Sequence, residues 1–382
     1  MAFLNKNTAL AVAALVACGS AAATEDFDLR YAPGYGGADM SAPFEGGWVF
    51  QAHAYYYSAN VRGTTTVNTD LTPALSAALH TPLPANSAGA VTTIRTNDQQ
   101  TVYGLLPRLS YMSSTTFLGA TLGGTVLLPL IDKGSVAGVT SVNTTLTGVA
   151  ATLPSPTQQA LRAQVNAGAT AQGNALATAN TNKTWGTGDL EFSPILRWST
   201  EATQTLFVMT VVAPTGDYDK NRAANPSAGR FWTFRPAVQW SYIGDGWDFG
   251  TRLAYSYNTH NVDTAYKSGS YLNWDFSAMK SVSDSTRLGV AGYAVDQLTR
   301  DKSTLTPTEC VSKFGGAVGC AAAEAREAPT LDQKGRVFGL GPEVAYIHGA
   351  GDYLLEARVM KEFGVQYRPK GFTAFVSLSK PF

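Results

Sequence analysis

Apolar and polar residues alternate with a period of two in many short runs between Trp48 and the end of the chain. The last run ends on Phe382, and the apolar residues that share its face are Phe372, Ala374, Val376 and Leu378. The polar residues on the opposite face are Thr373, Ser377 and Ser379. Phe375 and Lys380 break the alternation. This pattern is typical of a membrane strand between lipid and a polar interior, although a strand of a soluble sandwich alternates in the same way.

The same pattern predicts about twelve strands along the chain. Their predicted ranges are 47–60, 100–112, 116–129, 188–199, 204–214, 230–243, 246–259, 267–281, 286–300, 334–348, 352–365 and 370–382. Short links at 113–114, 200–203, 244–245, 283–284 and 349–351 alternate with long ones at 61–99, 130–187, 215–229 and 301–333. Short periplasmic turns and long extracellular loops are typical of outer-membrane barrels. We therefore predict an all-β fold, a single antiparallel transmembrane β-barrel of about 12 strands with long extracellular loops.

Two of the long connections also contain apolar residues at helical spacing. The first has Leu71, Ala74, Leu75, Ala78 and Leu79, and the second has a candidate helix at 158–177. Either helix could narrow the mouth of the barrel. Irregular surface loops are the alternative, since long connections of membrane and soluble proteins are commonly mobile.

The N-terminal region predicts export. Lys6, the apolar stretch 9–17 and the small residues before Thr24 fit a secretory signal peptide at 1–23. Lipidation at Cys18 is an alternative, because Leu-Val-Ala-Cys also fits the cleavage pattern of a lipoprotein. Residues 24–46, rich in Gly and Pro, would then form a periplasmic or luminal segment before the barrel at 47–382. Either route exports the chain, which a barrel in the bacterial outer membrane, the predicted location, requires.

Composition excludes two classes of protein. Lys and Arg number 28 and Asp and Glu number 28, so nothing indicates a nucleic-acid partner. Beyond the N-terminus no apolar run approaches the roughly 20 residues that a membrane helix needs. The predicted partners are outer-membrane lipid and a small hydrophobic solute, and the oligomeric state stays open.

An aromatic residue follows a proline by four positions in four of the predicted strands. The aromatic residues are Tyr111, Trp198, Trp240 and Tyr346. Each lies shortly before a predicted periplasmic turn, so we predict an aromatic girdle at that interface. The four prolines indicate a shared bulge or bend, because proline lacks a ladder donor; chance recurrence is the alternative.

With the aromatic residues facing lipid, the opposite faces of the strands carry charges. The predicted lumen-lining residues are Arg108, Glu191, Arg197, Arg235, Arg252, Glu343, Glu356 and Arg358. A charge facing lipid at the midplane costs about 2–4 kcal/mol, which imposes this sorting. Residues 205–212 are apolar on both faces and residues 116–129 nearly so. This predicts a hydrophobic strip in the lumen or, alternatively, packing against loops folded into the barrel.

Signals for metals, cofactors and catalysis are poor. We predict a disulfide between Cys310 and Cys320, because the exported chain lies in an oxidising compartment. The four histidines are scattered, Asp217 to Ala228 departs from a calcium loop, and no phosphate-binding motif is complete. We predict no metal, no cofactor and no enzymatic activity, although a barrel hydrolase would need only one Ser-His pair.

Several segments resemble the outer-membrane phenol meta-pathway degradation family, the SphA-like transporters. The matching stretches are Ala52–Ala59 (AHAYYYSA), Gly188–Leu190 (GDL), Ala213–Asp219 (APTGDYD), Phe231–Phe234 (FWTF), Glu362–Val365 (EFGV) and Arg368–Pro369. The resemblance implies an outer-membrane barrel for uptake of aromatic or hydrophobic compounds, and it supplies no catalytic residues. The connections at 61–99 and 130–187 are longer than the family pattern, which affects pore size and ligand.

The leading hypothesis for function is therefore passive uptake of small hydrophobic or aromatic compounds through a channel. A plugged barrel that displays its loops for a structural or surface-binding role is the second hypothesis. An outer-membrane hydrolase is the third. The sequence identifies neither the solute nor whether the lumen is open.

Overall fold

A computed structural model describes residues 29–41, 46–179, 181–317, 320, 331, 333–349 and 351–382. The predicted signal peptide at 1–23 and the candidate lipidation site at Cys18 lie outside these ranges.

The chain forms one large antiparallel sheet that closes on itself, plus a small two-stranded sheet. The strands are β1 (Gly47–Asp70), β2 (Ala88–Phe117), β3 (Ala120–Leu127), β4 (Leu130–Gly148), β5 (Asn182–Thr187), β6 (Glu191–Ser199), β7 (Thr203–Val212), β8 (Thr233–Gly244), β9 (Trp247–Asn258), β10 (Tyr266–Lys267), β11 (Tyr271–Ser281), β12 (Thr286–Gln297), β13 (Lys302–Ser303), β14 (Arg336–His348), β15 (Tyr353–Gln366) and β16 (Lys370–Pro381). The closed ring runs β1-β16-β15-β14-β12-β11-β9-β8-β7-β6-β3-β2 and returns to β1. These are twelve strands, so the predicted fold class is confirmed.

One predicted turn is wrong. Instead of ending near Ser113, β2 continues to Phe117, and its ladder with β3 is irregular between Met112 and Thr116. The turn is made by Leu118 and Gly119, with φ of 51° and 74°. Positive φ at both positions is the geometry of a tight hairpin turn, and glycine adopts it without steric cost.

Two of the predicted long loops are largely strand. β1 has 24 residues and β2 has 30, whereas a membrane strand needs about 9–11. Beyond the ring, β4 pairs with the first half of β2, and β5 pairs with β4. Thr and Val dominate these extensions and favour strands. The alternation is weak there because water surrounds this part of the sheet.

Three helices cover the extended sheet: α1 (Thr72–Leu79), α2 (Val149–Thr152) and α3 (Ser155–Ala179). Both helices that the spacing predicted are therefore present. Their buried contacts with the sheet form a small apolar core of Leu71, Leu75, Ala88, Ala90, Leu146, Ala150, Leu161 and Val165. Ala88 and Ala90 of β2 contribute to this core from the face of the strand that, nearer the periplasm, points into the lumen. None of the helices in the described ranges is long and apolar enough to cross a membrane.

A fourth helix, α4 (Pro307–Lys313), lies in the connection between β13 and β14. It begins with a capping box in which the Thr306 side chain accepts from Glu309 N and the Glu309 side chain accepts from the backbone of Thr306. The hydrogen bonds from Thr306 lower the pKa of Glu309. Cys310 in this helix forms a disulfide with Cys320, as the two-cysteine pattern predicts.

Aromatic residues surround the barrel at two levels. At the periplasmic end, Tyr111, Trp198, Trp240 and Tyr346 are all exposed on the outer face, where the sequence predicts a girdle. A second set lies near the extracellular ends of the strands, with exposed side chains of Tyr103, Trp185, Trp232, Tyr257 and Tyr367. Two aromatic belts of this kind mark the two interfaces of a membrane. The sequence pattern identified only the periplasmic one.

The recurrent prolines interrupt the hydrogen bonds between neighbouring strands without forming a β-bulge. Across Pro194, Pro236 and Pro342 the cross-strand pairing skips about two residues and resumes in the same register. A bulge would shift the register by one residue. Of the predicted bulge or bend, the bulge is therefore wrong at these three positions. The missing N–H leaves a gap in the hydrogen bonds, and the strands keep the same register on both sides of it.

Candidate solute pathway in the barrel lumen

The inner face of the barrel carries the polar and charged side chains. On β9, Asp248 and Ser256 are buried inside while Leu253 and Tyr257 are exposed outside. On β11, Asn273 and Asp275 are buried and Trp274 is exposed. The alternation of the last strand holds as well, since Thr373, Ser377 and Ser379 are buried. Phe375, which breaks the pattern, points inward and stacks under the Arg358 guanidinium, 4.5 Å from ring centroid to Cζ.

A segment of the chain that is not part of the barrel wall lies inside the barrel and fills part of the lumen. Residues 29–41, hereafter the luminal segment, run the length of the barrel before β1 begins. Arg30 lies at the extracellular end, where its guanidinium is 3.0 Å from Asp189 and also donates to the carbonyls of Gly229 and Phe231. At the periplasmic end, the Ser41 carbonyl accepts from Gln204 at 3.0 Å.

Aromatic and charged groups hold the middle of the luminal segment. Tyr31 donates to Asp275 and accepts from Arg252, and Arg252 also lies 3.2 Å from Asp275. The backbone N–H of Gly34 donates to the other carboxylate oxygen of Asp275 at 3.1 Å. Buried hydrogen bonds to charged groups are individually strong, so this network fixes the segment against β9 and β11.

The lower half of the luminal segment is fixed to β1, β2 and β8. Asp39 lies 2.9 Å from Arg108, whose Nε donates to Gln51 at 2.6 Å. The Met40 carbonyl accepts from Gln239 at 2.9 Å. Residues 38–40 form a short 3₁₀-helix, which turns the chain toward the start of β1.

Three of the predicted lumen-lining residues lie beneath this segment. Glu343, Glu356 and Arg358 are buried, with Arg358 Nη1 in contact with Glu356 and 3.9 Å from Glu343. Arg358 also donates to the carbonyls of Gly34 and Tyr35 at 2.9 and 2.6 Å. None of the three borders the cavity. They face inward as predicted, but they hold the luminal segment. This segment separates them from the cavity and therefore from a passing solute.

Beside the luminal segment lies a cavity of about 880 Å³. Its lining includes Gly46 and Phe382 at the periplasmic end and Asn225 and Arg368 at the extracellular end. It therefore extends along the barrel axis, between the segment and the wall formed by β1, β2, β3, β6, β7 and β8. Residues of α1 and α3 are absent from its lining, so these helices do not form its walls.

A group of apolar side chains, hereafter the apolar wall, forms part of the cavity lining. The side chains that form it are Leu106, Leu127, Ile131, Ile195, Leu206, Val208, Val212 and Ala237. Leu206, Val208 and Val212 belong to the strand that the sequence shows as apolar on both faces. The alternative, that loops folded into the barrel cover these side chains, does not hold for them.

Charged side chains lie among these apolar ones on the same strands: Arg108 is two residues from Leu106 on β2, and Arg197 is two residues from Ile195 on β6. Five of the predicted residues line the cavity, namely Arg108, Glu191, Arg197, Arg235 and Arg252. Glu191 lies 3.3 Å from Arg235, and the guanidinium groups of Arg235 and Arg252 lie 5.1 and 5.3 Å from the Tyr31 ring centroid. The buried Nη2 of Arg235 has no hydrogen-bond partner among the described residues. The arrangement offers cationic and aromatic groups beside a hydrophobic surface.

Sequence reasoning missed the residues that the luminal segment contributes. Tyr31, Tyr35 and Asp39 meet the barrel wall through contacts more than 200 positions apart in some cases, such as Tyr31 to Asp275. The Gly and Pro content of 24–46 indicated a candidate luminal segment, but nothing periodic marked its anchors. Among the described residues, no group of three or more His, Cys, Asp or Glu side chains could hold a metal ion.

Comparison with known proteins gives a family and a fold. The family model described as "Putative MetA-pathway of phenol degradation" matches residues 81–378. A COG4313 outer membrane channel from Pseudomonas putida F1 matches with a TM-score of 0.54 at 14% identity, covering 90% of this chain and 98% of that one. A comparison with curated protein sequences finds no match.

Two other solved structures match more distantly. The CymD monoaromatic hydrocarbon channel has a TM-score of 0.39 at 8% identity, covering 95% of this chain and 98% of that one. A Pseudomonas aeruginosa FadL homologue has a TM-score of 0.35 at 8% identity, covering 96% and 98%. These two scores are too low to bear on the fold.

A closed antiparallel barrel with an apolar outer belt spans the outer membrane of bacteria, which confirms the predicted location.

Proposed function

The chain belongs to the phenol meta-pathway degradation family, and from this we propose that it is a passive outer-membrane channel for small hydrophobic or aromatic compounds. The observation that carries the proposal is the cavity along the barrel axis, whose lining combines apolar side chains with neighbouring arginines. The fold shared with an outer membrane channel supports it. A pocket that is mostly apolar with a few placed polar groups suits a small organic solute.

Passage through such a channel needs no energy input. A solute enters between the extracellular loops and exchanges water for contacts with Leu206, Val208 and their neighbours. The arginines orient polar substituents, and the Tyr31 ring lies near the guanidinium groups of both Arg235 and Arg252. Binding must be weak enough for release to the periplasm, which fits a cavity lined by small aliphatic side chains.

An uptake comparison tests the proposed function directly. Purified protein in liposomes, and cells with and without the protein, are given radiolabelled aromatic, alkane and sugar solutes. We expect faster entry of the aromatic or alkane solutes only when the protein is present. Equal entry with and without correctly folded protein, for every solute, would disprove the channel.

We predict that the apolar wall controls the flux of hydrophobic solutes. Changing Leu206 and Val208 together to Asn removes apolar surface from the cavity while leaving the outer face of β7 intact. Losing about 1–2 kcal/mol of apolar contact weakens partitioning by roughly tenfold. Liposome flux of the aromatic solute should fall accordingly, with sugar flux as the control on the same protein. An equal effect on both solutes would contradict a selective wall.

We also predict that Arg197 influences the ion preference of the channel. Arg197→Ala removes a cation from the cavity wall, so permeability should shift toward cations relative to the parent protein. Glu191→Gln is the matched variant on the same strand and should shift the preference toward anions. Reversal potentials in planar bilayers under a salt gradient measure both. Identical reversal potentials for the three proteins would exclude a role for these charges.

A plugged barrel is the second candidate, because the luminal segment occupies part of the interior. The cavity that remains beside it favours the channel. If reconstituted protein shows neither solute flux nor conductance, the structural or surface-binding role gains support instead.

The third candidate, a hydrolase, has one geometric feature in its favour. His53 Nδ1 lies 2.9 Å from Ser377 Oγ, as in a Ser-His pair. However, His53 is 0% and Ser377 is 2% exposed, and the Tyr35 ring covers the imidazole at 4.6 Å between centroids. A buried hydroxyl cannot reach a substrate carbonyl, so the pair is consistent with a structural hydrogen bond. We propose that the protein is not an enzyme, and Ser377→Ala should leave solute flux unchanged.

A further inference from the structure

A line of four cations lies on the outer face of the barrel, outside the solute pathway. Lys361, Lys370, Arg62 and Arg95 belong to β15, β16, β1 and β2, which are consecutive around the ring. All four side chains are exposed. Lys361 shares its face with the lipid-facing Val359 and Phe363. Arg62 and Arg95 lie in the extracellular extensions of β1 and β2, beside polar neighbours such as Thr64 and Asn97.

The strand register brings these cations close together. Lys361 pairs with Phe372, two residues after Lys370 on β16. Lys370 pairs with Asn60, two residues before Arg62 on β1. Diagonal cross-strand neighbours of this kind lie roughly 7–8 Å apart.

The same relation places Arg95 next to Arg62. Arg62 pairs with Asn97, two residues after Arg95 on β2. The four side chains therefore form a continuous line across four strands. Like charges in such positions destabilise the sheet unless a counter-charge joins them.

Within the described part of the chain, the strands that carry the cations place no such counter-charge beside them. Along β15, β16, β1 and β2, the one outward Asp or Glu among the described residues is Asp70, eight positions beyond Arg62 at the tip of β1. On neighbouring β4, the outward Asp132 is 2.8 Å from Lys183 and is thereby neutralised. The line of cations is open to an external anion.

Further toward the middle of the membrane lies an aromatic surface, which begins two residues from Lys370 on β16 and six residues from Arg62 on β1. The Tyr56 ring is 4.9 Å from the Tyr103 ring and 5.5 Å from the Phe372 ring, measured between centroids. All three lie on the lipid-facing side of the same strands. A ligand that fits both features has phosphate groups at the extracellular interface and acyl chains below them.

From these observations we propose that this face of the barrel binds a phosphorylated glycolipid of the outer leaflet, with its phosphates on Arg62, Arg95, Lys361 and Lys370 and its acyl chains on the aromatic surface. Lys and Arg at a membrane surface each add to the affinity for anionic lipid. The outer leaflet is the one that the extracellular ends of the strands meet. The site is separate from the channel, so its outcome does not depend on the proposed function.

The test uses the full-length protein in detergent and in nanodiscs, with bisphosphorylated lipid A as the probe. Native mass spectrometry counts bound lipid A, and a titration gives its apparent affinity. The R62Q/R95Q/K361Q/K370Q variant should bind at least about tenfold more weakly, since each cation contributes roughly a fivefold factor. R162Q/K302Q/K334Q/K380Q, which removes four exposed cations elsewhere, should bind like the parent.

Two further lipids separate the phosphate from the rest of the ligand. Dephosphorylated lipid A should bind the parent as weakly as bisphosphorylated lipid A binds the variant without the four cations. Phosphatidylglycerol should compete poorly, because it has one phosphate and two acyl chains. If the variant without the four cations is folded, as shown by heat-modifiable migration on gels, and binds lipid A with unchanged affinity, the proposal is overturned. Equal binding of phosphatidylglycerol would overturn the assignment to a glycolipid.

Discussion

Replacing Arg358 with Met is expected to destabilise the barrel by about 3–5 kcal/mol, the usual cost of removing one partner from a buried ion pair. The substitution leaves the carboxylates of Glu343 and Glu356 buried without their cation. It also removes the donors to the carbonyls of Gly34 and Tyr35, so the luminal segment loses an anchor. Urea unfolding of the reconstituted protein, followed by tryptophan fluorescence and by heat-modifiable migration on gels, measures the loss.

Two companion variants make this prediction specific. Lys380→Met removes an exposed cation and should change stability by less than about 0.5 kcal/mol. A triple variant with Arg358→Met, Glu343→Gln and Glu356→Gln should regain much of the stability, because no unpaired charge remains buried. A single Arg358→Met variant as stable as the parent would show that these three charges are not coupled.

Replacing Gly37 with Leu is expected to displace the luminal segment and raise channel conductance severalfold. A β-carbon at Gly37 would collide with the side chains of Arg358, Glu356 and Glu343, which are packed against the barrel wall. The segment has fewer fixed contacts than a strand and is the part that can move. Because the segment and the cavity share one lumen, moving it widens the path for ions. Single-channel recording in planar bilayers measures the change.

The control for Gly37→Leu is Gly138→Leu on β4, where a β-carbon meets nothing within 4 Å. It should leave conductance at the parent value. Deletion of residues 29–41 should reproduce the higher conductance of Gly37→Leu. If both variants fold and conduct like the parent, the luminal segment does not limit the channel.

The barrel wall was largely predictable from the sequence. Lipid on one side and a polar lumen on the other force a period of two on each strand, so Trp274 and Asp275 could be assigned to opposite faces from their order alone. The same rule indicated that Arg235 and Arg252 face inward. Outside the membrane this constraint is absent, and the prediction is weaker. The extracellular parts of β1 and β2 have the sequence of polar loops because water surrounds them.

The lumen was less predictable, because its contents depend on contacts between distant parts of the chain. The Arg358 guanidinium donates to the carbonyl of Gly34, 324 positions away. No periodic pattern in the sequence predicts such a contact. A side chain known to face inward can border the cavity, as Arg197 does, or lie sealed under the luminal segment, as Glu343 does. The sequence by itself determined the closed twelve-stranded wall and which side of it is polar, since a membrane imposes both. Only the tertiary structure decided what fills the interior, because that depends on how residues 29–41 pack once the ring is closed.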